Sequence, residues 1–265
     1  MVKTKITNLT LFFNMRIYYT HIILLYLVLV GCKNNPNQEN YNQNIEIDQQ
    51  ILSDSTIVKY YQPFKKNLEE SLMNKPISYS FDTYKKNDGE LNSTLSNMFA
   101  DATYEMSNPV FNEISGNNID IVLLNNGGIR SIISKGNISE KTAFELMPFE
   151  NSIVVLELKG QSINKMVEYL RKVKLQHPIK GLQITLNNDY SLNEVSINGS
   201  NIMKEKKYYV ATTDYLLDGG DKMYFLGETL KTTDINYKMR DVLLDYFKKY
   251  DTLKLKSDNR FIRIK

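Results

Sequence analysis

Apolar residues recur along this chain at every second position in some stretches and at every third or fourth in others, and each spacing predicts an element. Pro76-Ile-Ser-Tyr-Ser-Phe81 alternates like a strand. Ser93 is placed to cap a helix over 94–106, in which Leu95, Met98, Phe99 and Ala102 share one face. The run Ile119-Asp-Ile-Val-Leu-Leu124 predicts a strand buried on both faces. Ser139 can cap a short helix ending near Glu145, a strand follows over 152–158, and helical spacing of Ile163, Met166, Val167 and Leu170 predicts a helix over 160–174. Strands are expected over 182–186, 194–197 and 207–213, and a last helix over 235–249. Strands and helices alternate without the regular rhythm of a doubly wound sheet, so the expected class is α+β.

Two segments stand apart from this pattern. Arg16 leads into the apolar run Ile22–Val30 and then Gly31-Cys32, too short to span a bilayer comfortably and ending like the site where bacterial lipoproteins are cleaved and acylated on cysteine. Residues 1–31 are therefore expected to be a lipoprotein signal peptide, with Cys32 as the lipid anchor and the bacterial cell envelope as the location. Residues 32–56, rich in Asn and Gln, predict a flexible tether from that anchor. The remainder, 57–265, reads as one domain, because no internal linker of similar polarity and no repeat interrupts it.

Composition limits the chemistry. Cys32 is the only cysteine among 265 residues, so the chain can form no internal disulfide and no thiolate cluster for a metal. The net charge of +3 comes from Lys3, Lys5 and Arg16 in the leader, which has no acidic residue. The mature chain is balanced and offers no broad basic field for a DNA or RNA polymer.

Three punctuated loops carry the candidate chemistry, because loops on a rigid frame are where binding residues concentrate. In Asn125-Asn-Gly-Gly-Ile-Arg130 the glycines Gly127 and Gly128 permit close backbone approach, and Arg130 can fork around a phosphate or carboxylate. As a turn alone, the same stretch is ordinary and Arg130 a surface charge. Pro148 fixes the corner of Met147-Pro-Phe-Glu-Asn151 and presents Phe149, although a corner phenylalanine commonly packs into the core. In the third loop Tyr215 leads into Gly219-Gly220-Asp221, where a carboxylate can accept hydrogen bonds from vicinal hydroxyls. A Gly-Gly-Asp turn with Tyr215 packed inward is the simpler alternative.

Taken in order, Asn-x-Gly-Gly-Ile-Arg, Pro-Phe-x-Asn and aromatic-x-x-x-x-Gly-Gly-Asp resemble the C-terminal, nucleotide-binding domain of the 5'-nucleotidase family, over about residues 76–250. The stretches between agree: Ile138-Ser139, Val154-Val-Leu-Glu-Leu-Lys-Gly160 and Tyr209-Val-Ala-Thr212. The resemblance implies that Phe149 and Tyr215 sandwich a nucleobase, that Asp221 holds the ribose hydroxyls, that Asn151 addresses the base edge, and that Asn125 and Arg130 lie on the phosphate side. Stacking of this kind contributes roughly 1–3 kcal/mol per contact.

The sequence departs from the family in three places. Where members carry one or two further arginines it has Tyr84-Lys-Lys-Asn-Asp-Gly89, so Lys85 or Lys86 supplies a point charge without a bidentate fork. Lys222 follows Asp221 where the family usually has glycine. In the family, hydrolysis belongs to an N-terminal metallophosphoesterase domain with two metal ions held by His and Asp ligands. This sequence has only His21 and His177, the first of them in the leader. No cofactor is therefore expected in this chain, and the divalent metal pair is expected in a partner. Two functions are carried forward: the specificity domain of a 5'-nucleotidase of nucleotide catabolism, completed by a separate metallophosphoesterase chain, and a lipid-anchored nucleoside or nucleotide receptor or scaffold without catalysis.

Overall fold

In the computed structural model, residues 51–72 and 75–264 are described. The signal peptide, Cys32, His21 and most of the expected tether lie outside them. Among the described residues no helix is long and apolar enough to cross a membrane. A helix α1 (Ser55–Leu72) runs into the compact unit Val58–Lys265.

The core of that unit is a five-stranded mixed sheet in the order β5-β2-β8-β4-β9, formed by β2 (Ile121–Leu123), β4 (Ser152–Lys159), β5 (Ile179–Lys180), β8 (Lys207–Thr213) and β9 (Lys231–Lys238). Its period-two pattern sorts side chains onto two faces. Val122, Ile153, Val155 and Ala211 point to one face, where they meet α2 (Thr94–Ser115) and α6 (Met239–Lys249) through Leu95, Phe99, Val242 and Phe247. Ile121, Val154, Leu156 and Val210 point to the other and meet α4 (Gly160–Val173) through Ile163, Met166 and Leu170. Both faces are covered, as the apolar run at 119–124 predicts, and each fully buried side chain of this size contributes about 1.5–3 kcal/mol.

Two small three-stranded sheets flank this core. Their strands are β1 (Ser78–Ser80), β3 (Gly136–Ile138), β6 (Leu182–Leu186), β7 (Leu192–Ile197), β10 (Thr252–Leu253) and β11 (Phe261–Arg263). One sheet is ordered β10-β1-β3 and the other β11-β6-β7. Short helices α3 (Glu140–Leu146) and α5 (Asp214–Leu217) complete an α+β architecture of mixed sheets with flanking helices.

Several predicted boundaries hold. The Ser93 hydroxyl accepts from the Ser96 N–H and starts α2, and Ser139 closes a capping box with Thr142 at α3. Helix α2 runs on past the expected end at Met106 to Gly116, whose φ of 71° lets its N–H bond to the Asn112 carbonyl and stop the helix. The expected helix over 235–249 needs correction, since residues up to Lys238 form the end of β9 and α6 begins at Met239. Ile235 alternates with Thr233 and Tyr237 in a strand that pairs with β4. A two-residue bulge at Ile235 and Asn236, with Asn236 at φ 52°, interrupts the pairing with β4 while keeping the alternation.

Candidate functional site: one edge of the central sheet

Strand directions decide where the loops emerge. β2 runs parallel to β8, while β4 is antiparallel to β8, β9 antiparallel to β4, and β5 antiparallel to β2. The end of β2, the end of β8, the start of β4, the end of β9 and the start of β5 therefore share one edge. At that edge stand, in turn, Asn125–Arg130, Tyr215, Phe149, Arg240 and His177.

All six candidate substrate-binding residues, Asn125, Arg130, Phe149, Asn151, Tyr215 and Asp221, line a single cleft of about 240 Å³ at this edge, together with Gly127 and Gly128. Phe149 is 41% exposed and Tyr215 45% exposed, so neither ring is tucked into the core. The Arg130 guanidinium lies 5.7 Å from the centre of the Phe149 ring and donates to the Gly127 carbonyl at 3.3 Å.

The third loop is built to hold a carboxylate in place. Asp221 has φ 51° and Lys222 φ 62°, both in the left-handed region that side chains other than glycine disfavour by about 1–2 kcal/mol. The Tyr169 hydroxyl, from α4, donates to the Asp221 carbonyl at 2.8 Å. On the carboxylate, Asn125 Nδ2 donates to Oδ2 at 2.8 Å and the Tyr215 hydroxyl to Oδ1 at 3.2 Å. Gly219 and Gly220 stand behind this arrangement. A Cβ on Gly220 would meet Tyr215 Cε1 at 2.4 Å, so only glycine lets that ring lie against the loop.

Between the two lysines preceding Asp88 the geometry discriminates. Lys85 is exposed, whereas Lys86 Nζ donates to the carbonyls of Ile129 at 2.7 Å and Asn126 at 3.2 Å, fastening the first loop from behind. Burial, and then the neighbouring Arg130 charge, lower the Lys86 pKa from its ordinary value.

Four supporting residues escape sequence reasoning, because each acts on a loop distant in the chain. Arg240 Nε donates to the Met147 carbonyl at 3.0 Å and its NH2 to the Phe149 carbonyl at 3.0 Å, while the guanidinium sits 4.2 Å from the Phe144 ring centre. Asp214 ties loops two and three together, accepting from the Ser152 N–H at 3.0 Å and the Tyr215 N–H at 2.8 Å. Tyr169 is the third. The fourth, His177, is buried and accepts from the Asn126 N–H at Nδ1, which leaves the ring proton on Nε2 without a partner. Burial holds its pKa down at about 4, against smaller opposing effects of the Leu124 carbonyl and Asp221.

Elsewhere, a wider depression of about 490 Å³ lies beside β5 and β6. Its cations are already paired, Lys180 with Asp101 and Arg260 with Asp101 and Asp258, so among the described residues it presents no unpaired cation to an anionic ligand. Among the described residues no group of three or more His, Cys, Asp or Glu side chains is placed to hold a metal ion. The donor set for a metal pair is thus not offered by them, and no metal-dependent step is assigned to these residues.

The family model for the 5'-nucleotidase C-terminal domain matches residues 72–228, more than half of the chain and all six cleft residues. The chain belongs to the 5'-nucleotidase C-terminal domain family. It is 31% identical over 108 residues to Protein UshA of Escherichia coli strain K12, an alignment covering 38% of this chain and 19% of UshA. Cell wall protein Lmo0130 of Listeria monocytogenes is 31% identical over 144 residues, covering 49% of this chain and 18% of that protein. The fold of this family member is similar to the crystal structure of the 5'-nucleotidase precursor from Thermus thermophilus, with a TM-score of 0.66 and 22% identity over 78% of this chain and 42% of the other. The chain thus spans less than half the length of these relatives. Arg240 and the rest of α6 lie beyond the matched residues.

Proposed function

We propose that this chain is the nucleotide-holding component of a 5'-nucleotidase-type phosphohydrolase in nucleotide catabolism, with the metal pair contributed by a separate metallophosphoesterase chain. The observation that carries the reading is the convergence of two half-exposed rings, Phe149 and Tyr215, with one carboxylate, Asp221, and one guanidinium, Arg130, on a single cleft. Two flat faces accept any nucleobase, the carboxylate suits a sugar hydroxyl, and the guanidinium, free of any carboxylate among the described residues, suits a phosphate. Holding the nucleotide with its phosphate outward gives a catalytic partner an oriented substrate, and orientation is worth several kcal/mol when the geometry is correct.

The reading includes a location. Acylation at Cys32 would hold the domain at a membrane of the bacterial cell envelope, and mass spectrometry of the Cys32 peptide tests it directly.

The test of the function is calorimetric titration of the full chain with AMP, adenosine and ADP, with and without divalent metal. Saturable binding indifferent to metal is expected, and absence of binding at millimolar ligand rejects the reading. Adding candidate metallophosphoesterases from the same genome then separates the two functions: phosphate release on mixing identifies a split enzyme. Intact binding with no such partner leaves a nucleoside or nucleotide receptor.

A further inference from the structure

We propose that the Tyr215 hydroxyl determines how strongly the cleft distinguishes ribose from deoxyribose, by occupying a place on Asp221 that a vicinal diol would otherwise take. The inference rests on the nucleoside reading above. A diol needs two acceptor positions, and the Asp221 carboxylate already meets an internal donor on each oxygen: Tyr215 on Oδ1 at 3.2 Å and Asn125 on Oδ2 at 2.8 Å.

The tyrosine is held in this place. The Tyr215 ring lies against Gly220, whose backbone leaves no more than the space of a hydrogen behind it, and its own N–H is bonded to Asp214 at 2.8 Å. The carboxylate cannot swing away by rotating its backbone, because the Asp221 carbonyl is held by the Tyr169 hydroxyl at 2.8 Å. The phenolic oxygen therefore stays beside Oδ1, and an incoming diol must share each carboxylate oxygen with an internal donor, where an unoccupied carboxylate would offer both oxygens undivided.

Stacking needs only the ring, so the hydroxyl is a specificity determinant separable from the base contact. Tyr215→Phe keeps the aromatic face and removes the competitor. A hydrogen bond to a charged group regained in this way corresponds to about a tenfold change in affinity.

The experiment is calorimetric titration of the full chain and of its Tyr215→Phe variant with adenosine and with 2'-deoxyadenosine. The wild type is expected to bind the two within about threefold of each other, and the variant to bind adenosine about tenfold tighter than 2'-deoxyadenosine. A hydroxyl that merely stiffens the loop would shift both ligands together and leave their ratio unmoved, and that result overturns the proposal. A wild-type preference for adenosine already above about tenfold overturns it as well. If the wild type binds neither nucleoside, the nucleoside reading itself falls and takes this inference with it, whereas binding with an unmoved ratio rejects this inference alone.

Discussion

Arg240 reaches from the first turn of α6 to the carbonyl of Phe149 at 3.0 Å, so one wall of the cleft is held by a guanidinium ninety-one residues further along the chain. The same side chain donates to the Met147 carbonyl and packs on Phe144, and it is largely buried. Arg240→Ala would leave the carbonyls of the Pro148 corner without their donor. We expect a loss of about 2–3 kcal/mol in urea unfolding, accompanied by weaker adenosine binding. Full affinity in a destabilised variant would show that the corner keeps its shape without the arginine.

The rings themselves are a different matter, because both are nearly half exposed and contribute little to the core. Phe149→Ala and Tyr215→Ala should each weaken nucleoside binding by about tenfold or more, as expected for the loss of one stacking face, while the melting temperature stays within a degree or two. Unchanged affinity in both would remove the stacking clamp from the account.

A glycine pair offers an internal control. A Cβ at Gly220 would lie 2.6 Å from the Tyr215 carbonyl oxygen as well as against its ring, whereas one at Gly227 meets nothing within 4 Å. Gly220→Ala is therefore expected to abolish measurable nucleoside binding by displacing Tyr215, and Gly227→Ala to leave binding intact. Equal behaviour of the two, followed by titration, would contradict the role assigned to the ring's position.

His177 gives the cleft an acid limit. The unfolded chain takes up this proton near pH 6.5, while burial delays uptake in the folded chain to about pH 4. The contribution is fully present above pH 6.5 and is lost as pH falls from 6.5 to 4, amounting to about 3 kcal/mol at roughly 1.4 kcal/mol per pH unit. Protonation would also end the Asn126 N–H bond to Nδ1 that fixes the first loop. Urea unfolding at pH 7.5 and 4.5, in wild type and His177→Phe, should show a smaller pH dependence in the variant. An identical dependence would place the acid sensitivity elsewhere.

Much of this was legible in the sequence for a physical reason: the signals were local. Ser93 announces α2 because a cap needs only the three residues that follow it, and β8 emerges at its expected limits because an apolar run is bounded by Lys207 and the Asp214 turn. The six cleft residues belong to three short motifs and could be named before any geometry was known. The strand over 231–238 was hidden, since Ile235 and Tyr237 are its only apolar residues and Tyr237 and Lys238 run straight into a helix of similar polarity. Arg240, Asp214, Tyr169 and His177 were silent for another reason. Each acts through a backbone group or a carboxylate of a distant segment, and such pairings exist only once the five strands have been aligned.

The antiparallel ladder between β4 and β8 places Ile153 opposite Thr213, four residues beyond Phe149 on one strand and two residues before Tyr215 on the other. The two rings thus stand just beyond neighbouring hydrogen-bonded strands about 4.8 Å apart, and the ladder as well as the loops fixes their relative position. Slipping β8 by a single residue against β4 would carry Tyr215 about 3.3 Å along the edge and turn its side of the strand over, parting it from Phe149 and from the loop that holds Asp221.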